Sequence, residues 1–183
     1  MLTVYLSYTT AAYSSYSVKR EYTLKDAPTE TPTPEVSVSY NAVDLGLPSG
    51  TLWADRNVGA DSPEAYGNYF AWGETSTKST YNWSTYKWCR GSYDTMTKYC
   101  TDSSYGYNEF TDNRTTLLRS DDAATRNLGS GWRMPTKAEF DELVYYCNWD
   151  YVQEGGRWGA KLTSTRNKES IFLPATGSKE GTV

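Results

Sequence analysis

The main helix of this chain is predicted by the segment Thr136-Lys-Ala-Glu-Phe-Asp-Glu-Leu-Val-Tyr-Tyr-Cys147. Its Thr136 hydroxyl and Glu139 carboxylate are spaced as a capping box, in which each side chain satisfies a free backbone N–H of the other residue. Apolar side chains then recur at i, i+3, i+4 and i+7 on one helix face, namely Phe140, Leu143, Val144 and Cys147. We therefore expect one main helix over about 136–147, which buries Phe140 and Leu143 beneath an antiparallel sheet.

Downstream of the helix, the sequence predicts three strands over 149–153, 157–164 and 170–174. The segments Glu154-Gly-Gly156 and Arg166-Asn-Lys168 supply turn residues between them. Because strands joined by such short turns pair with opposite directions, we expect an antiparallel meander.

Upstream of the helix, the segment Asp44-Leu-Gly-Leu-Pro-Ser-Gly-Thr-Leu-Trp-Ala54 predicts a tight hairpin with its turn at Pro48-Ser-Gly50. Ser62 is a suitable N-cap before a proline, so a short helix is expected over 63–67. The following apolar run, Asn68-Tyr-Phe-Ala-Trp-Gly73, predicts a buried strand.

Residues 75–116 show little periodicity and are rich in Ser, Thr, Tyr and Asn. An irregular segment of this length inside a compact domain is usually functional or ordered on its own. After it, Ser120 is expected to cap a short helix over 121–127, which Gly129 ends.

The N-terminal part of the chain differs in character from the rest. Residues 1–24 alternate apolar and polar side chains and are predicted to form a β-hairpin, with its connection at Thr9-Thr-Ala-Ala12. Residues 25–39 are interpreted as a Pro/Thr-rich linker, because proline removes backbone donors and favours extended geometry. Residues 40–183 then form the main domain.

The composition argues against several functions. The chain has 18 Lys and Arg against 22 Asp and Glu, and its formal net charge of -4 comes with no basic stripe, so nucleic acid is not an expected partner. It has no histidine, which removes His-based triads and nearly all His-containing zinc sites. No apolar run is long enough for a membrane span, and no phosphate loop or dinucleotide fingerprint is present, so no cofactor is expected.

Aromatic residues are unusually frequent, with 17 Tyr and 7 Trp. Four large rings fall within Tyr81-Asn-Trp-Ser-Thr-Tyr-Lys-Trp88, inside the long polar segment. These rings either cover the core as a lid, in which case Trp83 and Trp88 have low exposure, or they form a stacking platform for a sugar or a protein. The candidate ligand-binding residues are Trp83, Tyr86, Trp88 and Tyr93.

Three cysteines permit at most one disulfide within the chain. The pattern favours Cys89–Cys100, because both lie in the polar segment whereas Cys147 lies on the apolar helix face. Two acidic groups are interpreted as structural rather than as metal ligands or a catalytic pair: Asp121 and Asp122 at a helix start, and Glu139, Asp141 and Glu142 on the solvated face of the main helix.

Five segments in a fixed order carry a family resemblance: Asp44–Ala54, Asn57–Ala60, Tyr66–Glu74, Gly131–Leu143 and Ile171–Gly177. Together they resemble the Fibrobacter succinogenes major paralogous domain family over residues 40–177. The resemblance implies an α+β domain of C-type-lectin-like fold, with a small antiparallel sheet, one main helix and long irregular loops. That family shares its fold with formylglycine-generating enzymes and with the variable proteins of diversity-generating retroelements.

The resemblance implies a non-catalytic binding or adhesion module in an extracellular or cell-surface protein of Bacteroidetes, with a glycan or protein ligand. It assigns no metal and no catalytic residue. A structural or assembly subunit that exchanges strands, like a fimbrial protein, is the first alternative. A formylglycine-generating type of enzyme is the second, although that chemistry needs paired reactive cysteines.

The chain departs from the family at both ends. Members of the family usually continue into Tyr-, Ser- and Trp-rich strands that close the sheet, whereas here only Ser178–Val183 follow. Open sheet edges and self-association are therefore expected. The N-terminal hairpin has a similar composition and could fill the gap, from its own chain or from a neighbour's, or it could be the tail of a preceding immunoglobulin-like domain. No signal peptide is visible, and we expect the chain to be part of a longer protein.

Overall fold

The computed structural model describes residues 12–13 and 40–182, which form a mixed α+β arrangement of small antiparallel sheets and short helices. Its strands are β1 (Ala12–Tyr13), β2 (Ala42–Val43), β3 (Leu52–Ala54), β4 (Thr80–Tyr81), β5 (Trp132–Arg133), β6 (Cys147–Glu154), β7 (Arg157–Ser164), β8 (Ser170–Pro174) and β9 (Gly181–Thr182). Its helices are α1 (Ala123–Leu128) and α2 (Lys137–Tyr146). Single 3-10 turns lie at Trp83–Thr85, Ser103–Tyr105, Tyr107–Glu109 and Arg119–Asp121. Among these residues, no helix has the length and apolar character needed to cross a membrane.

The N-terminus of α2 confirms the predicted capping box. The Thr136 backbone N–H donates to Glu139 Oε2 at 2.8 Å, and the Glu139 N–H donates to Thr136 Oγ1 at 3.3 Å. Glu139 also accepts from the Thr51 hydroxyl at 2.9 Å and from Arg133 Nη1 at 2.8 Å. This carboxylate therefore ties the start of α2 to the chain beside β3 and to β5.

The buried face of α2 is narrower than predicted. Leu143 is fully buried, and Phe140 is half-buried with its ring edge-on to Trp53, their centroids 6.5 Å apart. Val144, however, is 52% exposed. Cys147, the last of the four predicted positions, is buried at the start of β6, so Val144 is the one position of the predicted stripe that lies in solvent among the described residues.

The predicted meander is confirmed. Strands β6, β7 and β8 form an antiparallel sheet in which Trp149 lies opposite Leu162, and Leu162 lies opposite Ile171. Together with α2 and the 44–54 hairpin, this sheet encloses the larger hydrophobic core. The buried members of that core are Leu45, Leu47, Trp53, Leu143, Cys147, Leu162, Ile171 and Leu173.

The predicted hairpin over 44–54 is confirmed in its turn and its second strand only, because its first strand is β2 at 42–43, before the predicted segment. Ala42 lies opposite Ala54, and the Gly50 N–H donates to the Leu47 carbonyl at 2.9 Å to close the turn. The sheet order is β2-β3-β1-β5, so β1 lies between two strands of the main domain. Ala12 is thus in a strand and not in the predicted connection, because β3 and β5 both pair with it. The remaining predictions for residues 1–39 lie outside the described residues.

Three local predictions were wrong. Residues 63–67 form a turn, with the Ala65 N–H donating to the Ser62 carbonyl at 3.1 Å, because five residues without an apolar stripe are too few to sustain a helix. Residues 68–73 pair with no strand among the described residues and end in a turn, in which the Glu74 N–H donates to the Ala71 carbonyl at 2.9 Å. Helix α1 is capped by Asp122 rather than by Ser120, because the Asp122 carboxylate accepts the Thr125 N–H at 2.9 Å.

A second, smaller core forms around α1. Its buried members are Ala54, Val58, Phe70, Ala123, Ala124 and Trp132. Strands β3 and β5 contribute to it, which places the second core beside the first. The last strand, β9, pairs with β4, so residues 181–182 fasten the end of the described chain to the irregular segment.

Candidate binding site

Hydrogen bonds from Tyr and Trp side chains attach the irregular segment of residues 75–116 to the rest of the protein. Three tips donate to backbone carbonyls of residues 69–73: Tyr81 Oη at 2.7 Å, Tyr86 Oη at 2.9 Å and Trp88 Nε1 at 2.8 Å. These side-chain bonds add to the short β4–β9 pairing, which also attaches the segment to the rest of the chain.

Trp88 and Tyr86 are supports for this segment. Gly73 has φ 73°, and a Cβ at that position would lie 2.8 Å from Trp88 Nε1, so only glycine allows the indole to approach so closely. Burial raises the pKa of the Tyr86 hydroxyl, and the nearby Glu74 carboxylate raises it further. Tyr86 is therefore a neutral donor across the physiological range.

The segment crosses itself at Met96, where the Met96 backbone is bonded to two other parts of the same segment. The Met96 N–H donates to the Tyr105 carbonyl at 2.8 Å, and the Tyr107 N–H donates to the Met96 carbonyl at 2.8 Å. Met96 also forms a bridge to Cys89, while Asn82 caps the turn that carries Trp83. These contacts bring residues that are distant in sequence to one surface.

A buried carboxylate anchors the segment to the chain before α1. Asp121 is 4% exposed, forms an ion pair with Lys98 and accepts the Tyr99 hydroxyl at 2.6 Å. Burial alone raises the pKa of Asp121, but the hydrogen bonds from Lys98 and Tyr99 outweigh burial and hold it below its ordinary value. Burial, followed by the bond to Asp121, raises the pKa of Tyr99 to about 12. The structural interpretation of Asp121 is therefore supported.

Above these supports lies an open cavity of about 650 Å³. We call it the aromatic cavity, and its lining residues are Trp83, Tyr93, Met96, Tyr99, Cys100, Thr101, Asp102 and Tyr105. Three of its rings form a continuous series, with centroids 6.5 Å apart for Trp83 and Tyr93 and 6.1 Å apart for Tyr93 and Tyr105. Tyr93 is 55% exposed and Tyr105 is 49% exposed, so their faces are accessible from solvent.

Polar groups lie beside these rings. The Asp102 carboxylate accepts the Ser104 N–H at 2.9 Å and the Ser104 hydroxyl at 2.8 Å, which fixes its position at the start of a 3-10 turn. These bonds lower its pKa, so Asp102 is an ionised acceptor at neutral pH. Thr101 adds an exposed hydroxyl next to it. The cavity therefore combines ring faces with acceptors and a donor, as small-ligand sites do.

The four predicted ligand-binding residues divide into two pairs. Trp83 and Tyr93 line the aromatic cavity. Tyr86 and Trp88 are half-buried, and their polar tips are already bonded to backbone carbonyls, so they support the cavity without lining it. Since Trp83 is half-buried as well, the ring-rich stretch is partly a cover over the core and partly a surface for contact.

Sequence reasoning missed the second half of the cavity lining. The lining residues that were not predicted are Met96, Tyr99, Cys100, Thr101, Asp102 and Tyr105. The bridges from Met96 to Cys89 and to Gly106 join this part of the chain to the part that carries Trp83. The signal that could have found them is the continued density of Tyr, Ser and Thr up to Tyr107.

The candidate disulfide between Cys89 and Cys100 is not formed, and all three cysteines are free. The Cys89 thiol donates to the Trp83 carbonyl at 3.1 Å, whereas the Cys100 thiol donates to the Asp102 carbonyl at 3.1 Å. Each sulfur therefore has its own partner in a different turn. Burial raises the pKa of the Cys147 thiol in the core. Within residues 12–13 and 40–182, no group of three or more acidic, Cys or His side chains could hold a metal ion.

Comparisons with protein-family models, with curated proteins and with solved structures find no match to this chain. The likeness to the paralogous domain family therefore stays a prediction from its five sequence segments. The geometry of the aromatic cavity is the main basis for a function.

Proposed function

We propose that this protein is a non-catalytic binding module that recognises a saccharide through the aromatic cavity. The observation that supports the proposal is the series of three rings, Trp83, Tyr93 and Tyr105, beside the Asp102 carboxylate in one open cavity of about 650 Å³. Aromatic faces suit the apolar C–H faces of a sugar ring, while a carboxylate accepts hydrogen bonds from its hydroxyl groups.

The shape of the cavity favours a small ligand over a protein surface. Its volume lies within the range of pockets that hold small molecules, whereas protein interfaces are extended patches of about 800 Å² per partner. The segment that carries the lining is also attached to the rest of the protein through Asp121, Tyr86 and Trp88, which supports a preformed site. A fixed site loses little conformational entropy when its ligand binds.

The setting we propose follows the sequence resemblance. A lectin-like module of an extracellular or cell-surface bacterial protein would present this cavity to glycans outside the cell. The α+β arrangement with one ten-residue helix and long irregular loops is compatible with that fold.

A glycan array tests the proposal directly. We expect the protein to bind a subset of glycans, and Tyr93→Ala or Tyr105→Ala to weaken that binding at least about tenfold, equal to about 1.4 kcal/mol. Tyr145→Ala is the matched control, since Tyr145 is 80% exposed on α2 and does not line the cavity. Isothermal titration with the best saccharide then gives dissociation constants for all three variants.

Two results would contradict the proposal. One is equal loss of binding in Tyr93→Ala and Tyr145→Ala, which would mean that the cavity is not the site. The other is an absence of glycan binding together with unchanged folding by circular dichroism, which would direct attention to a protein ligand.

A further inference from the structure

The central sheet contains a strand that comes from far away in the sequence. Strand β1 pairs antiparallel with β3 on one side and with β5 on the other. Since both neighbours are antiparallel to β1, they run parallel to each other and are separated by two ladder spacings, about 9.6 Å. Without β1, their facing N–H and C=O groups would have no strand to pair with.

This gap, which we call the β3–β5 slot, lies at the junction of the two cores. Ala12 lies opposite Trp53 and Arg133, while Tyr13 lies opposite Leu52 and Trp132. Trp53 is fully buried in the first core, and Trp132 is 9% exposed in the second. The strand in the slot therefore pairs with two strands that carry buried residues of different cores.

The strand in the slot is far in sequence from the domain that it completes. Residues 14–39 separate it from the first residues of the main domain, and Pro28, Pro32 and Pro34 favour extended chain there. A connection of that length lets the same strand reach the slot of its own domain or that of an adjacent copy.

We propose that the β3–β5 slot accepts Ala12–Tyr13 from a second copy of the chain, so that the protein assembles with itself by exchanging its N-terminal strand. The backbone pairing is identical in the two arrangements, so the exchange requires no new interface. Being part of the same chain gives the cis strand an effective concentration on the order of millimolar, and exchange therefore competes only when copies are crowded together.

Mixed cysteine variants distinguish exchange from cis pairing. Full-length Tyr13→Cys and isotopically labelled Leu52→Cys are mixed, held under a mild oxidant at increasing concentration, and digested for peptide mass spectrometry. Because Tyr13 and Leu52 are directly opposite, a 13–52 disulfide between labelled and unlabelled chains requires a shared slot. Ser49→Cys replaces Leu52→Cys in the control mixture, since Ser49 is exposed in the turn of the same hairpin.

We expect the 13–52 cross-link between chains to exceed the 13–49 control at least about fivefold and to increase with concentration. The double variant Tyr13→Cys/Leu52→Cys monitors folding, because its disulfide forms only when the slot is occupied. Exchange is overturned if the double variant closes within single chains while the mixture never exceeds the control up to millimolar protein. A double variant that forms no 13–52 bond in any arrangement would overturn the slot itself.

Discussion

Two regions of this protein are rich in aromatic side chains, and they present their rings in different ways. In the irregular segment, Trp83, Tyr93 and Tyr105 lie at tilted angles around a concave cavity. On the β6–β7 hairpin, Tyr151 and Trp158 stack in parallel, with centroids 5.3 Å apart and an angle of 10° between their planes. Their exposures are similar or greater, 67% for Tyr151 and 52% for Trp158. Exposure alone therefore does not identify a binding site.

The difference lies in what fixes each ring. Tyr151 and Trp158 are diagonal neighbours on one face of a two-strand ladder, so the pleat of the sheet sets their positions. The rings of the irregular segment are positioned by hydrogen bonds to backbone carbonyls and by the buried Asp121 carboxylate. The hairpin rings therefore lie in one cross-strand pair, whereas the rings of the irregular segment come from separate turns and line one cavity.

Removing the anchor should have the largest effect. In Asp121→Ala, Lys98 and the Tyr99 hydroxyl lose a carboxylate partner whose side chain is 5% exposed. We therefore expect a loss of about 3 kcal/mol in the free energy of unfolding. Urea denaturation measures this change. Asp94→Ala is the control in the same segment, and because Asp94 is exposed its effect should stay within about 0.5 kcal/mol. Equal effects of the two variants would remove the reason to treat Asp121 as the anchor.

The meander side of the molecule depends on a different carboxylate, Glu139. Burial raises its pKa, but the bonds from Arg133, Thr136 and Thr51 outweigh burial and lower the pKa from 4.5 to about 2. Since a lowered pKa favours the charged folded form, its contribution is complete above pH 4.5 and is lost as the pH falls towards about 2.

Glu139→Gln should therefore destabilise the protein in a pH-dependent way. Allowing for solvent screening at this half-buried site, we expect a loss of about 2 kcal/mol at neutral pH. The difference between the two proteins should narrow steadily below pH 4.5. Urea midpoints measured across this range test the sign. A stability difference between the two proteins that widens in acid would contradict the lowered pKa of Glu139. Asp141→Asn, on the exposed face of α2, is the matched control.

These two anchors also show how far the sequence could predict the structure. The capping role of Glu139 was predicted correctly because a capping box is local, with both partners within one helical turn. Its predicted position on the solvated face was wrong, since its side chain is 12% exposed and accepts hydrogen bonds from Thr51 and Arg133. Strands β6 to β8 were predicted in the same way, from local strand patterns and from the turn residues between them. The role of Asp121 as an anchor was not predicted, since its partners Lys98 and Tyr99 are more than twenty residues away and no period relates them.

The failed predictions have a similar origin. The signals at Ser62 and Pro63 are those of a helix start, but the following residues offer no apolar face to bury. Phe70 is buried as expected, yet its segment fills the second core without a neighbouring strand. The cavity depends on the crossing at Met96, and such a crossing leaves no trace in local sequence patterns.

A smaller loss of stability is expected when Trp88, which supports the irregular segment, is replaced. Trp88→Phe removes the Nε1–H bond to the Gly73 carbonyl and weakens the contact with the Lys98 ammonium, which lies 4.2 Å from the ring centroid. The bond and the cation–π contact together should cost about 1–2 kcal/mol by urea denaturation. Trp158→Phe makes the same substitution on the hairpin and should cost less than about 0.5 kcal/mol. If the two substitutions cost the same, Trp88 is not a support.

The smallest effect should come from the exposed ring pair itself. Trp158→Ala and Tyr151→Ala each remove half of a stacked cross-strand pair, and a double-mutant cycle should give a coupling energy of about 0.5–1 kcal/mol. Neither variant should change saccharide affinity, because these rings do not line the aromatic cavity. A loss of affinity in Trp158→Ala comparable to that of Tyr93→Ala would mean that exposure, and not enclosure by an anchored segment, selects the ligand.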